Sequence, residues 1–279
     1  MKTLKDKVIV VVGGTGDIGR ATADLLARLG AIVVIASRTV TETDPRFARV
    51  REMSPRSSFF QGDFSVAETW NELLSYLERA CGEIDALVMC AGTLNPSSFE
   101  SLSSKEMEAT LRVNCLSVMY GMQAMAPLMR QRHHGVIVTV GSIGGLVPMP
   151  FGSVYSASKF AVRGFMLSMQ EELKGSGVDA CLLTLGSVHS RMLAVESAND
   201  DCVISFINKP LDVQSAAGSI ADLLLHPRAE VVLPTMTGWL SKLCAVSPPL
   251  FSICYNLLRS VGRRRMQSYR RTTSTLHTA

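Results

Sequence analysis

Residues 8–30 read VIVVVGGTGDIGRATADLLARLG, and this stretch decides the fold. Its β-branched beginning, residues 8–12, is typical of a short buried strand. Glycines follow at positions 13, 16 and 19, and the apolar residues after the first glycines recur at the spacing of one helix face. These apolar positions are Ile18, Ala21, Leu25, Leu26 and Leu29. The stretch therefore predicts a strand, a glycine-rich turn and a helix in succession.

A turn of this composition is suited to bind a pyrophosphate. Glycine lets the backbone approach the phosphate groups closely, and the amino terminus of the next helix offers free N–H groups and a positive dipole. A glycine pattern alone is weak evidence, but this one has the required strand before it and helix after it. We therefore predict that residues 13–19 bind a dinucleotide; the alternative is a turn with a structural role alone.

A second apolar run, residues 32–36, ends in Ser37 and Arg38. An acid at this strand end would bind the ribose 2′-hydroxyl of NAD(H), whereas an arginine accommodates the 2′-phosphate of NADP(H). The position offers Ser37 and Arg38 and no acid, so NADP(H) is favoured and NAD(H) stays open. An exposed arginine in an ordinary loop is the alternative interpretation of Arg38.

The same alternation continues along the chain. Short apolar runs predict further strands at 58–61, 86–90, 135–140 and 179–185. Amphipathic patterns predict helices at 67–81, 104–131 and 154–173. Residues 40–57 carry little signal. Strands that alternate with helices at this spacing predict an α/β domain with a parallel sheet covered on both faces.

The segment 142–159, SIGGLVPMPFGSVYSASK, holds three side chains with related chemistry. Tyr155 and Lys159 are four residues apart, so on a helix they share one face. A lysine charge beside the phenol would lower the pKa of Tyr155 from its ordinary value of about 10. Ser142 follows a buried strand, at the sheet edge where α/β proteins bind ligands. We predict proton transfer to or from a substrate oxygen at this segment.

Two polar residues allow two interpretations each. Asn114 falls in an apolar helical stretch, where a buried amide needs partners, so it is either a satisfied core residue or part of a polar network at the site. Asp63 follows the third strand, where its carboxylate either accepts a bond from an adenine amino group or caps the next helix.

The composition is that of a globular protein, with 47% hydrophobic and 19% charged residues. Seven cysteines, odd in number and widely spaced, indicate reduced thiols in a cytosolic setting. We expect no metal site, because the sequence has no CxxC and no clustered His/Cys set. The apolar run at the amino terminus is too short for a signal peptide, so we expect a cytoplasmic protein.

Residues 237–279 are predicted to form a C-terminal extension to a domain at 1–236. Beyond Glu230 the chain has no acid and seven basic residues, which leaves the body with a net charge of −3. Residues 243–258 are uncharged, but Pro248 and Pro249 divide them, and a membrane-spanning helix needs about 20 apolar residues. We therefore expect no transmembrane segment.

Several interpretations of this extension stay open. It could lie on an anionic membrane surface with its apolar side inserted, as a peripheral contact on the cytosolic face. It could instead pack on a substrate pocket or form the interface of a homo-oligomer, and end in a disordered basic tail. Nucleic-acid binding is not expected, because no aromatic array for base stacking accompanies the arginines.

Taken together, the motifs resemble the single-domain type of the short-chain dehydrogenase/reductase family. The matching elements are, in order, Gly13-xxx-Asp17-Ile18-Gly19, Asp63, Cys90-Ala91-Gly92, Asn114, Ser142, Tyr155-xxx-Lys159 and Gly186-Ser187-Val188-His189-Ser190. Each motif is common by chance, whereas their joint order and separation are specific. The resemblance extends to residue 234 and implies a doubly wound (Rossmann) sheet of seven parallel strands with helices on both faces, before the C-terminal helical extension.

The resemblance also implies hydride transfer between a carbonyl and an alcohol with a nicotinamide dinucleotide. Tyr155 would be the general acid or base, and Lys159 would depress its pKa and bind the nicotinamide ribose. Ser142 would hydrogen-bond the substrate oxygen, and Asn114 would hold a water in the proton relay. Contacts with the cofactor are implied for Gly13, Thr15, Gly16, Asp17, Ile18, Gly19, Ser37, Arg38, Asp63, Phe64, Cys90, Ala91, Gly92, Tyr155, Lys159, Gly186 and Val188.

The chain departs from the family pattern at several positions. Val12 stands where a threonine is usual, Met89 and Cys90 where two asparagines are usual, and Leu185 where a proline commonly precedes the glycine. Asp17 replaces a usual glycine, and its carboxylate is unfavourable near a pyrophosphate unless the side chain turns to cap the helix. We therefore do not expect high cofactor affinity.

The loop 144–151 has no charge and no side-chain hydrogen-bonding group. Such a wall favours a lipophilic carbonyl or alcohol, of the steroid, retinoid or long-chain acyl type, with ordinary loop packing as the alternative. Residues 192–207 are predicted to form a flap over the site. The predicted function is that of an NADP(H)-dependent oxidoreductase acting on a lipophilic substrate; the alternative is a non-catalytic NADP(H)-binding sensor or scaffold.

Overall fold

The apolar runs and amphipathic segments fold into one parallel sheet flanked by helices. The structure is a computed structural model and describes residues 1–41 and 44–276. The strands are β1 Val8–Val12, β2 Ile32–Ser37, β3 Ser58–Gln61, β4 Ala86–Met89, β5 Gly135–Ser142, β6 Val178–Leu185 and β7 Glu230–Leu233. The helices before β6 are α1 Asp17–Arg28, α2 Pro45–Met53, α3 Ala67–Ala80, α4 Ser104–Leu111, α5 Ser117–Gln131 and α6 Ser153–Glu172. The helices after β6 are α7 Arg191–Ser197, α8 Val213–Leu225, α9 Thr235–Val246 and α10 Pro248–Leu276.

The seven strands are all parallel and lie in the order β3-β2-β1-β4-β5-β6-β7. Val10 of β1 is paired with Val34 on one side and with Leu87 on the other, so the chain reverses its direction of winding at β1. In open sheets of this kind, ligands lie outside the carboxyl ends of the strands at such a reversal. The predicted doubly wound sheet is confirmed.

Two apolar layers form because successive side chains of a strand point to opposite faces. Val10 of β1 packs in the layer that contains Trp70 of α3 and Met122 of α5, whereas Ile9 packs in the layer that contains Leu26 of α1. A strand covered on both faces must be apolar at every position. This requirement explains the unbroken run of apolar residues in β1.

One predicted helix is wrong in its continuity. Residues 104–131 form α4 and α5, joined by a π-helical turn at Arg112–Leu116. The turn carries Asn114, whose side chain is fully buried. A widened turn of this type is rare and often marks a functional position, and hydrophobic spacing does not reveal it. The weak signal at residues 40–57 also concealed α2.

The C-terminal extension, α9 and α10, packs against the body. Met266 of α10 joins Leu193, Val203 and Phe206 in a small buried cluster. Three of the basic residues beyond Glu230 form ion pairs with the body: Lys242 with Glu230 at 2.9 Å, Arg259 with Asp201 at 3.6 Å and Arg270 with Asp200 at 2.6 Å. The basic segment is helical as far as Leu276, so a disordered tail is not what the described residues show.

The division of the chain at residue 237 remains a prediction, and α9 begins at Thr235, just before it. Among the helices of residues 1–41 and 44–276, none combines the length and the apolar character that crossing a bilayer requires.

Candidate active site

The carboxyl edge of the sheet opens into a cavity of about 640 Å³. The ends of β4, β5 and β6 contribute to its wall, together with Ile18 at the start of α1. Helix α7 and the C-terminal extension line the other side. Ser142, Tyr155 and Lys159 all face this space, so the three side chains of the segment 142–159 are brought together.

Tyr155 and Lys159 are buried on α6, four residues apart as predicted. Lys159 Nζ lies 5.7 Å from the centroid of the Tyr155 ring and donates a hydrogen bond to the Val140 carbonyl at 3.2 Å. Tyr155 shares a side-chain hydrogen bond with Ser142, whose hydroxyl oxygen also accepts the Gly144 N–H at 3.0 Å. The hydroxyl groups of Ser142 and Tyr155 therefore lie side by side at the cavity, and the Lys159 amine lies near the Tyr155 ring.

Burial controls the protonation of this pair. It raises the pKa of Tyr155 to about 12; the hydrogen bond with Ser142 lowers this pKa by less, and the charge of Glu196 raises it further. Burial also lowers the pKa of Lys159 to about 8. The predicted fall of the Tyr155 pKa below its ordinary value is therefore wrong for this arrangement: the net shift is upward, because removal from water favours the uncharged form of the phenol and outweighs the other influences.

The side-chain amide of Asn114 has hydrogen-bond partners for both its oxygen and its nitrogen. Its Oδ1 accepts the Thr93 N–H at 2.8 Å, and its Nδ2 donates to the Thr93 carbonyl at 2.9 Å and to Ser158 Oγ at 3.0 Å. A Cβ on the neighbouring Gly92 would lie 3.6 Å from Asn114 Oδ1 and 3.8 Å from Lys159 Nζ. Asn114 thus ties the segment after β4 to α6 beside the amine, and its part in a water relay stays a prediction.

The turn after β1 packs backbone directly against backbone, which glycine permits because it has no Cβ. Gly13 has a φ of +78°, and a Cβ on it would lie 2.6 Å from the Ala91 nitrogen. A Cβ on Gly19 would collide with the Gly13 carbonyl. No side chain caps α1 at Gly16, so the first N–H groups of this helix are left for a ligand. These residues fit the pyrophosphate of a dinucleotide.

Asp17 is held by Arg191 of α7. Its Oδ2 accepts the Arg191 backbone N–H at 2.7 Å, and its Oδ1 lies 3.4 Å from Arg191 Nε. The Arg191 guanidinium also donates to the Thr15 carbonyl at 3.2 Å. The cap on α1 that would have made Asp17 compatible with a pyrophosphate is absent, and a cation offsets the carboxylate charge instead. The same contact joins the start of α7, directly before the flap, to the glycine turn.

Two predicted cofactor residues, Ser37 and Arg38, follow each other at the end of β2 but have different surroundings. Ser37 is buried, and its Oγ lies 2.6 Å from Thr15 Oγ1, so these hydroxyl groups support each other across the turn. Arg38 is exposed, and its carbonyl accepts Gln61 Nε2 at 3.1 Å. The Arg38 guanidinium is therefore on the surface next to the strand end where a ribose would lie.

Asp63 and Phe64 make local contacts after β3. Asp63 Oδ1 accepts the N–H of Ser65 at 3.0 Å and its hydroxyl at 2.8 Å, which closes a turn, while Val66 is the N-cap of α3. Asp63 therefore does not cap that helix. Phe64 is buried against Trp70, with ring centroids 5.0 Å apart, so only its backbone is left to meet a cofactor.

The remaining predicted cofactor residues share the cavity with the phenol and the amine. Those that line it are Ile18, Cys90, Ala91, Gly92, Gly186 and Val188. Positions for a nicotinamide and for a substrate therefore belong to one continuous space. Burial raises the pKa of Cys90 to about 12, so its thiol is an uncharged wall group.

The predicted substrate wall is only partly right. Gly144, Val147 and Met149 line the cavity, whereas Leu146 is buried elsewhere and Pro148 is exposed to solvent. The other residues of this loop do not line the cavity. The predicted flap is placed over the cavity, which it lines with Met192, Leu193, Glu196, Ile204, Ser205 and Ile207.

Two contributors were not singled out as site residues from the sequence, although packing of the extension on a substrate pocket was one of the interpretations left open. Leu240 of α9 and Phe251 and Tyr255 of α10 line the cavity, so one side of the extension is a pocket wall. Glu196 of α7 is a buried carboxyl on the same cavity. An apolar helix face suits a pocket, a membrane or an interface equally, and one glutamate in the flap has no distinguishing pattern.

Comparison with known proteins shows the family to which this chain belongs. The model of the short-chain dehydrogenase family matches residues 7–201. The chain belongs to the short-chain dehydrogenase family. An uncharacterised oxidoreductase of Listeria innocua is 30% identical over 193 residues, which cover 68% of this chain and 78% of that protein. A cyclopentanol dehydrogenase of Comamonas is 31% identical over 194 residues, which cover 70% of this chain and 76% of that protein.

As a short-chain dehydrogenase, the chain is an oxidoreductase for CH–OH and C=O groups, in a family that uses NAD(P)(H). The solved structure of Cj0485 dehydrogenase superposes with a TM-score of 0.73 at 20% identity, covering 84% of this chain and 95% of that one. The structure of gox2181 gives a TM-score of 0.76 at 22% identity, covering 82% and 94%. These two likenesses show the shared fold. The family match ends at residue 201, before the extension begins.

Proposed function

We propose that this short-chain dehydrogenase interconverts a carbonyl and an alcohol on a small lipophilic molecule, with NADP(H) as the preferred cofactor. The observation that carries the proposal is the meeting of Ser142, Tyr155 and Lys159 in a cavity that also reaches the glycine turn through Ile18. A dinucleotide on that turn would supply or accept the hydride. The protein itself must then hold the substrate oxygen and move one proton.

The two cavity hydroxyl groups divide this work. Tyr155 is placed to donate its proton to the oxygen of a carbonyl during reduction, and Ser142 is placed to hydrogen-bond the same oxygen. With a pKa raised to about 12, Tyr155 carries that proton at neutral pH. Lys159, 5.7 Å from the phenol ring, is the cation that would stabilise the phenolate. Asn114 would keep the relay water and Thr93 in place.

The cavity wall supports a lipophilic substrate. Its apolar lining includes Val147, Met149, Leu193, Leu240 and Phe251. Removing apolar substrate surface from water against such a wall is favourable by about 25 cal/mol per Å². The relative named cyclopentanol dehydrogenase bears the name of a small alicyclic alcohol, which is in keeping with this class of substrate.

Arg38 supports the preference for NADP(H). It follows the end of β2, and its exposed guanidinium is suited to pair with a 2′-phosphate. Ser37 is engaged with Thr15 instead. The phosphate would therefore be recognised by Arg38.

We further propose that the extension contacts an anionic membrane surface through the side that faces away from the cavity. Trp239 and Leu243 of α9 are 70% and 59% exposed, and Ile253 and Leu257 of α10 are 57% and 71% exposed. Each pair is four residues apart, so it forms a stripe on one helix face. These are large apolar side chains that the body leaves uncovered.

Charge supports an anionic surface as the occupant. Arg264 continues the exposed stripe of α10 beyond Val261, and Arg263 is exposed beside it. No acid follows Glu230 in the sequence. An interface of apolar residues flanked by arginines is typical of helices that lie on membranes with acidic headgroups.

Tyr155→Phe tests the proposed reaction. The substitution removes the proton donor and keeps the ring, so we expect turnover to fall about 10²- to 10⁴-fold while NADPH binding changes little. Steady-state nicotinamide absorbance and cofactor titration measure the two quantities. Tyr76→Phe on α3, where the ring packs against Phe60, is the matched control. A Tyr155→Phe variant with full turnover would refute the assignment of Tyr155 as the proton donor. NADPH binding without any turnover, in the wild type as in the variant, would favour the non-catalytic sensor.

A further inference from the structure

Glu196 is an unexplained charge in the cavity. It lies on α7, is 7% exposed and lines the same space as Tyr155. Its Oε2 is buried and has no hydrogen-bond partner within residues 1–41 and 44–276. Glu196 is therefore a buried carboxyl at the cavity wall, with one oxygen that has no hydrogen-bond donor.

The groups around Glu196 do not neutralise it. The Ser205 hydroxyl hydrogen-bonds its carboxyl, and no ion pair to Glu196 is formed within the part of the chain that the structure describes. Burial raises the pKa of Glu196 to about 7, and its charge in turn raises the pKa values of Tyr155, Tyr269 and Cys202. The Glu196 carboxyl thus has one hydroxyl partner and can accept further hydrogen bonds.

Such an arrangement is unfavourable without a ligand. A carboxylate oxygen removed from water loses its hydration, and a fold that leaves it unpaired loses stability unless a donor arrives. Leu193, on the same helix, and Ile204 give the cavity an apolar surface on either side of it. The missing partner is therefore best supplied by a substrate that is apolar over most of its surface.

We propose that Glu196 determines specificity by accepting a hydrogen bond from a hydroxyl group of the substrate, at a carbon remote from the one that Tyr155 protonates. The proposal rests on the proposed function and narrows its substrate class to lipophilic hydroxy-ketones and diols. Two polar points, the Ser142–Tyr155 pair and Glu196, then fix the substrate at both ends of an apolar body.

Matched ketones test this role. Alicyclic and steroid-like ketones are compared with derivatives that carry one hydroxyl at increasing distance from the carbonyl, with NADPH and the full chain. We expect one hydroxylated member to exceed its parent in kcat/KM by about tenfold or more, mainly through KM, because a hydrogen bond to a charged acceptor has that strength. We expect Glu196→Gln to reduce this ratio several-fold and Glu196→Met to bring it close to one.

The controls separate specificity from folding. Glu78→Gln, on the exposed side of α3, should keep the wild-type ratio. Glu196→Met should melt at or above the wild-type temperature, because it removes an unpaired buried carboxyl, whereas a stabilising role would lower that temperature. Equal kcat/KM values for each ketone and its hydroxylated derivative would overturn the inference. So would a ratio of these values that stays unchanged in the Glu196 variants. Absence of NADPH oxidation with every pair would instead count against the proposed function.

Discussion

Arg38 is the single residue on which the proposed cofactor preference depends. Its guanidinium is exposed at the end of β2, so it can pair with a 2′-phosphate without moving the backbone. We expect Arg38→Ala to weaken NADPH binding about tenfold, the effect of one lost hydrogen bond to a charged group. NADH, which lacks the phosphate, should bind as before. Fluorescence titration with the two cofactors measures both.

The control for Arg38 is Arg79→Ala, an exposed arginine on α3. Arg79→Ala changes the net charge by the same amount as Arg38→Ala. An unchanged NADPH affinity in Arg79→Ala would therefore show that the affinity lost in Arg38→Ala comes from the position of Arg38 and not from net charge. An equal loss of NADPH and NADH binding in Arg38→Ala, or tighter binding of NADH by the wild type, would contradict the assignment.

At the scale of residues, spacing along the chain predicted the contacts within one element and missed those between distant elements. Tyr155 and Lys159 meet because four residues make about one helical turn. The raised pKa of Tyr155 depends on burial by many segments, which no local pattern contains. Asp17 and Arg191 are 174 positions apart, so their pairing could not be predicted from the glycine turn.

At the scale of elements, α9 and α10 have two different sides. Leu240, Phe251 and Tyr255 face the cavity, while Trp239 and Leu257 face outward. We expect the full chain to cosediment with vesicles of phosphatidylcholine and phosphatidylserine, and much less with phosphatidylcholine alone. Replacing both Trp239 and Leu257 by Ser should weaken this binding about tenfold or more, because it removes apolar surface that would be buried in lipid.

Phe99→Ser is the matched control for this surface, since Phe99 is 59% exposed and lies outside the extension. It should bind vesicles like the wild type. High salt should weaken the binding to acidic vesicles, because the arginine contribution is screened. Equal binding to both kinds of vesicle, or no effect of the double substitution, would mean that the exposed stripes have another occupant.

The sheet could be predicted from sequence more completely than the helices. Buried parallel strands are continuous apolar runs bounded by turns, so β1 and β3 have the predicted bounds. The π-helical turn at Arg112–Leu116 preserves the apolar spacing on either side, which concealed it. The place of α10 depends on packing against the 3₁₀ turn at Val203–Phe206, a tertiary contact.

At the scale of the whole molecule, a family core and an added extension together make one cavity. The family match covers residues 7–201 and includes the phenol, the amine and the glycine turn. The extension supplies the far wall and, through Arg259 and Arg270, pairs with the acids that follow α7. The reaction type therefore follows from the core, whereas the substrate depends on the flap and the extension.

The measurement that tests this combination most directly is nicotinamide absorbance during incubation of the full chain with two sets of carbonyl compounds. One set is lipophilic, and the other consists of sugars and phosphorylated metabolites; each is assayed with NADPH and with NADH. We expect NADPH to be oxidised with lipophilic ketones at a rate about tenfold or more above that with the sugars and phosphorylated metabolites. Rapid turnover of the sugars or phosphorylated metabolites, with none of the lipophilic ketones, would contradict the proposed function.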